Sequence, residues 1–279
     1  MIDVTVVRER LSAYHGTPVP RSIAHFVAWL ADDPAHVALL EQRAYLLPTH
    51  DLAIADAAAP LPVRSNFRYH SEPPEFIAFA QTGADGEHIG VLELAPELLR
   101  DELPFVTFFP MDFTVEVCRL GDDLGTALAA YRAYPSVEGP QPLDLPGLFD
   151  EPLLAASWPG YDPPAYDPPD GYRFVQTADR AGVLAPADAF GGDVVSIGSK
   201  WERSVLQGAV DHAARLLRDG FPASAIALAR EVRVTASGSD MLDAACAVWR
   251  EAALALGRPW HAAMVDEVVA YDREQRARG

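Results

Sequence analysis

Glu72, Glu75, Asp85, Glu87 and His88 are the residues of this chain whose types and spacing come nearest to chemistry. Four carboxylates and an imidazole within one short stretch suit a divalent transition metal, and with it a metal-dependent or other hydrolase built around His88. The spacing argues the other way. Alternation along a strand starting at His88 puts Glu87 and His88 on opposite faces, and acids at the start of a surface helix ordinarily complement its dipole. His25, His36, His212 and His261 have no second ligand at helical spacing. The nucleophile elbow, the phosphate loop with lysine, His-Glu-x-x-His and Cys-x-x-Cys are all missing. Catalytic residues, a bound metal and a cofactor are therefore not expected. Cys118 and Cys246, each embedded in an apolar stretch, read as small core residues in a reducing compartment.

The elements that would carry these residues follow from periodicity and punctuation. Val4, Val7, Leu11 and Tyr14 mark a first helix stopped by Gly16 and Pro18; Ser22 is read as the cap of a second, and Asp33-Pro34 restarts a third. Pro73-Pro74-Glu75 opens a short helix that turns Phe76 and Phe79 inward and ends at Gly83. The glycines and aspartate of Thr82–Gly86 make a turn with at least one positive φ, leading into a strand from His88 to Leu94. Further strands are expected at Phe105–Phe109 and Val115–Leu120, then a helix from Asp122 to Tyr134. Adjacent strands between helices point to an α+β fold with an antiparallel sheet, not a doubly wound one.

Beyond residue 134 the chain changes character. From Pro135 to Gly171 it is rich in proline, with Tyr161-Asp162-Pro163-Pro164 echoed by Tyr166-Asp167-Pro168-Pro169, the composition of an extended arm. Pro163-Pro164-Ala165-Tyr166 also matches a peptide bound by aromatic grooves, a short pattern that arises by chance in such a stretch. A hairpin of Tyr172–Val175 with Val183-Leu184 would tie the arm down. Ser199-Lys200-Trp201-Glu202 has the form of a capping box for a long helix carrying Trp201, Val205, Ala209, Ala213 and Leu216. Gly220-x-Pro222-x-x-Ala225 then recurs as Gly257-x-Pro259-x-x-Ala262, 37 positions on, each copy joining one helix to the next. The pair resembles tetratricopeptide-type helical hairpins. Three segments result: an α+β domain at 1–134, a proline-rich arm at 135–198 and a helical-hairpin module at 199–279.

The 279 residues are 49% hydrophobic, enough to bury a sizeable core. Twenty-two basic against 40 acidic residues leave a net charge of −18, a field that repels nucleic acid and anionic membranes. No apolar run approaches the length of a membrane span, and Met1-Ile2-Asp3 does not begin a signal peptide, so a cytoplasmic location is expected. Lys200 is the single lysine, a usage that goes with GC-rich bacterial coding.

Ser71 to Phe79, followed by Thr82 to Gly90, resembles the SUKH superfamily, in which a Pro-x-x-Phe helix precedes a Gly/Asp turn and a strand. The resemblance covers about residues 50 to 135, and the N-terminal helices and appended hairpins depart from the pattern. It implies an α+β interaction scaffold without catalytic residues, similar to immunity proteins that neutralise toxins. Its motif positions here are Pro74, Glu75, Phe76, Gly83, Asp85, Gly86 and Gly90, most of them structural. The acidic balance points to the same reading, a protein-binding module steered to a basic partner. The rivals are the hydrolase at His88 and a scaffold that grips a peptide in its C-terminal hairpins.

Overall fold

The computed structural model describes residues 2–62, 72–82, 86–109, 117–133, 142–154, 164, 166–192, 202–236 and 239–278. The chain forms two compact units, one of Met1–Phe67, Phe76–Phe113 and Val117–Pro164, the other of Arg68–Glu75, Thr114–Glu116 and Ala165–Gly279. The fold is α+β, with an antiparallel sheet flanked by helices and a C-terminal set of helical hairpins.

In the first unit, α1 (Val4–His15), α2 (Arg21–Asp32) and α3 (Pro34–Ala44) precede a meander of β1 (Leu47–Pro48), β2 (Phe76–Gln81), β3 (His88–Leu92), β4 (Phe105–Phe108) and β5 (Val117–Gly121), closed by α4 (Leu124–Arg132). Local chemistry sets most helix ends. Asp3, Asp33 and Asp123 each accept a backbone N–H at the start of α1, α3 and α4, and Gly16 ends α1 in the left-handed region at φ 72°. Ser22 is not the cap of α2: the helix begins at Arg21 after Pro20, and the Ser22 hydroxyl instead donates to Glu102 Oε2 at 3.1 Å. Helices α2 and α4 share one face of the sheet. Phe26 meets Phe79 edge-on at 5.2 Å, Phe79 meets Phe105 at 5.7 Å, and Tyr131 of α4 reaches Glu87 beside Thr107.

Where a helix is expected from Pro73, residues Phe76–Gln81 form a strand; its expected end, Gly83, lies outside the described residues. Phe76 and Phe79 stand at helical spacing and are both buried, but three positions apart on a strand they lie on opposite faces of β2, which is buried on both sides; the register with β3 shifts between Ala78 and Ala80, a bulge. Pairing on both edges, with β1 and β3, decides against the helix.

In the second unit β6 (Tyr172–Val175) pairs with β7 (Val183–Pro186), the hairpin expected at the end of the arm, and Tyr166 stacks on Phe174 at 5.2 Å. Four helices follow, α5 (Arg203–Arg218), α6 (Pro222–Thr235), α7 (Asp240–Ala255) and α8 (Pro259–Arg278). Helix α5 starts after Glu202, which makes no side-chain cap bond; Ser199, Lys200 and Trp201 lie outside the described residues. The two copies of the Gly-x-Pro connection are built alike. Gly220 and Gly257 take φ 87° and 72°, Phe221 N donates to Leu216 O at 2.8 Å and Arg258 N to Ala253 O at 2.9 Å, and each proline opens the next helix.

Candidate functional site

Glu72 and Glu75 belong to the second unit, Glu87 and His88 to the first. All four are buried, where the sequence placed the acids on a surface. Gly83 and Asp85 lie outside the described residues, while Gly86 supplies the expected positive φ at 69° and Thr82 N bonds to Glu87 O across the turn. Pro74 is buried. Gly90 makes room for Phe76 across the β2–β3 pair: a Cβ at Gly90 would sit 2.3 Å from Ile77 O and 2.6 Å from the Phe76 ring.

Glu75 is committed to a buried ion network in the second unit. Its Oε1 accepts from Arg230 Nη1 at 2.8 Å, and Arg230 Nη2 lies 2.8 Å from Asp179 Oδ2, the Asp179 and Arg230 side chains having no exposed surface. Arg230 also lies over the Trp249 ring at 4.7 Å, Arg233 donates to Glu72 O at 2.7 Å, and Thr177 donates to Asp179 at 2.6 Å. Burial alone would raise the Asp179 carboxyl, but the charge and hydrogen bonds of Arg230, with the Thr177 hydroxyl, outweigh it and hold the carboxyl below its ordinary value. The same two carboxylates outweigh burial at Arg230 and keep it charged.

Glu87 stands differently. Thr107 Oγ1 donates to it at 2.7 Å and the Tyr131 hydroxyl at 3.4 Å, yet burial dominates and pushes its carboxyl up to about 7. Elsewhere in this unit His15 and His50 meet Nε2 to Nε2 at 2.8 Å, with the Tyr14 ring edge-on to both, and burial lowers His50 to about 4. Among the described residues no group of three His, Cys, Asp or Glu is placed to hold a metal ion. Both cysteines are buried, and burial raises the Cys246 thiol to about 11, far from a reactive thiolate.

The first unit also carries a surface cleft of about 170 Å³ that periodicity alone did not reveal. Helix α2 presents His25, Trp29 and Asp32 to it at i, i+4 and i+7, with Ala28 between, and Ile2, Val4, His36 and Gly147 complete the lining. Trp29 is held from two sides: its Nε1 donates to Pro146 O at 3.1 Å, and its ring stacks on His36 at 4.4 Å with planes 13° apart. Gly147, at φ 82°, brings the chain against the indole edge where a Cβ would lie 3.4 Å from Nε1. An i, i+4, i+7 trio of His, Trp and Asp was the available signal in the sequence. Gly147 lies more than a hundred positions away and could not be joined to it.

Compared with models of known protein families the chain matches none, and no curated protein matches it.

Proposed function

We propose that this chain is a non-catalytic, cytoplasmic protein-binding module that engages a basic partner, in its sharpest form an immunity protein that neutralises a basic toxin. The observation that carries the reading is the disposition of charge. The net charge is −18, and the buried acids Glu75 and Asp179 are already matched to Arg230 while Glu87 is held by two hydroxyls, so the excess of acid is carried elsewhere. Exposed carboxylates include Glu102, Asp123, Asp144, Asp150 and Glu151, while exposed Asp101 and Asp122 pair with Arg8 and Arg119. A field of this sign steers basic proteins and raises their association rate. No helix among the described residues is long and apolar enough to cross a membrane.

The test is stopped-flow association with the product of the neighbouring gene. Between ~0.15 M and ~1 M salt the screening length falls from about 8 Å to about 3 Å, so the on-rate is expected to drop steeply. An acidic partner, or an on-rate indifferent to salt, removes the proposal; a stoichiometric metal ion lost to chelator together with activity would favour the hydrolase.

A further inference from the structure

We infer that the second unit carries a recognition site for an acidic peptide with two central prolines, and that this chain's own Glu72-Pro73-Pro74-Glu75 occupies it as a ligand in cis. The inference goes beyond the binding reading and does not rest on it. Chain order supplies the first observation. Met1–Phe67 and Phe76–Phe113 belong to the first unit, yet the short stretch Arg68–Glu75 between them belongs to the second, together with Ala165–Gly279. Glu72 to Glu75 stand in no helix or strand, and all four are buried. Burial is not a property of the tetrapeptide itself. Asp167-Pro168-Pro169-Asp170 repeats the order acid-Pro-Pro-acid within the same unit, and both of its aspartates are exposed.

The difference lies in what α6 and α7 present to Glu72–Glu75. Arg230 Nη1 donates to Glu75 Oε1 at 2.8 Å, and Arg233 Nη2 donates to Glu72 O at 2.7 Å. Two guanidiniums at i and i+3 of α6 thus read the two ends of the segment, one its carboxylate and the other its backbone. Both lie over the Trp249 ring, at 4.7 and 5.7 Å, and Arg230 Nη2 is 2.8 Å from Asp179 Oδ2, so the donors are set in place by groups other than the segment. Pro73 and Pro74 have fixed φ, and the segment loses correspondingly little freedom on docking. Arginine clusters that read acidic groups and grooves that read proline-bearing peptides are both recurring modes of peptide recognition. Because site and ligand share one chain, the effective concentration of the segment is on the order of millimolar, which closes the site to a dilute competitor.

The probe is a free peptide that copies Arg68–Glu75, titrated into the full chain and into its Glu75→Ala and Glu75→Gln variants, with NMR at the Trp249 indole N–H and thermal melting as readouts. The parent is expected to show no shift at about 0.1 mM peptide, its site being filled in cis. Glu75→Ala weakens the internal ligand, so the peptide should bind that variant saturably, shift Trp249 and raise the melting temperature. A copy of the peptide with Gln in place of its last Glu should bind at least about tenfold more weakly, the loss of a charge-assisted bond. Glu75→Gln keeps an acceptor and the shape of the side chain, and it carries the same expectations where Glu75→Ala fails to fold. Rescue in trans is the decisive readout, since a merely structural role for Glu75 would destabilise the variants without letting the peptide restore them. A folded variant with no shift at Trp249, an unfolded pair of variants that the peptide does not refold, equal binding of the Glu and Gln peptides, or a parent that binds as tightly as the variants each overturns the inference. None of these outcomes depends on whether a basic partner binds, so the two readings fail separately.

Discussion

Arg230 Nη2 and Asp179 Oδ2 lie 2.8 Å apart with neither side chain exposed. Withdrawing two charges from water is costly, and the pair offsets that cost because Arg230 also donates to Glu75 and covers Trp249, and because Thr177 and Ala181 N donate to Asp179. Removing one partner strands the other. Arg230→Met is expected to cost about 3–5 kcal/mol in urea unfolding, leaving two buried carboxylates uncompensated. Asp179 titrates below its ordinary value in the fold, so its contribution is present above the unfolded value of 3.8 and is lost as pH falls through the lower folded value. Asp179→Asn should therefore flatten the stability profile at acid pH. A loss under about 1 kcal/mol for Arg230→Met would mean the network is dispensable.

Gly90 and Phe76 compete for one space. Gly90→Ala places a methyl 2.3 Å from Ile77 O and 2.6 Å from the Phe76 ring, so about 1–3 kcal/mol of strain is expected. Combining it with Phe76→Leu should cost less than the sum of the single changes, since trimming the ring relieves part of the overlap. Strict additivity in thermal or urea melts would show that the ring is not what excludes the methyl.

Glu87 sets a stability slope near neutrality. Its carboxyl moves from 4.5 to about 7 on burial, so the folded state holds the proton over that window and stability falls as pH rises through it, by roughly 3 kcal/mol at most. Glu87→Gln keeps an acceptor for Thr107 without the charge. The variant should be no less stable than the parent above pH ~7.5 and should lose the slope; a parent profile flat between pH ~5 and ~7.5 after correction for histidines would refute the assignment.

His50 acts with the opposite sign. Its folded value of about 4 lies below the reference 6.5, so the unfolded chain binds the proton first and stability falls as pH drops from about 6.5 to about 4, again by roughly 3 kcal/mol at most. His50→Gln should remove this acid-side loss. Direct NMR titration provides the check, and a His50 imidazole that titrates near 6.5 would contradict the burial argument.

Gly220 and Gly257 form a matched pair for mutation. Both have left-handed φ and nothing within 4 Å of where a Cβ would stand, so alanine meets backbone strain alone. Each single change to alanine is expected to cost about 1 kcal/mol, the two costs nearly equal and additive. Costs differing by more than about 1 kcal/mol would show that the two connections are not equivalent.

What could be read directly was chemistry confined to one turn of chain. Asp33-Pro34 and Gly16 mark helix ends within four residues of the bonds they make, and the Gly-x-Pro copies at 220 and 257 repeat the same cap. The strands from His88 to Gly121 were legible because β-rich runs are bounded by turn residues. Phe76 and Phe79 misled because β2 is buried on both faces, so two side chains three positions apart are both interior as they would be on a helix, and only pairing with Leu47–Pro48 and His88–Leu92 settles the segment as a strand. The burial of Glu75 depends on Arg230, 155 positions away, and that of Asp179 on the same guanidinium, 51 positions away. Local pattern carries no record of such a partner. An acid read alone belongs at the surface, and it enters the interior only when the tertiary fold delivers a counter-charge to within hydrogen-bond reach.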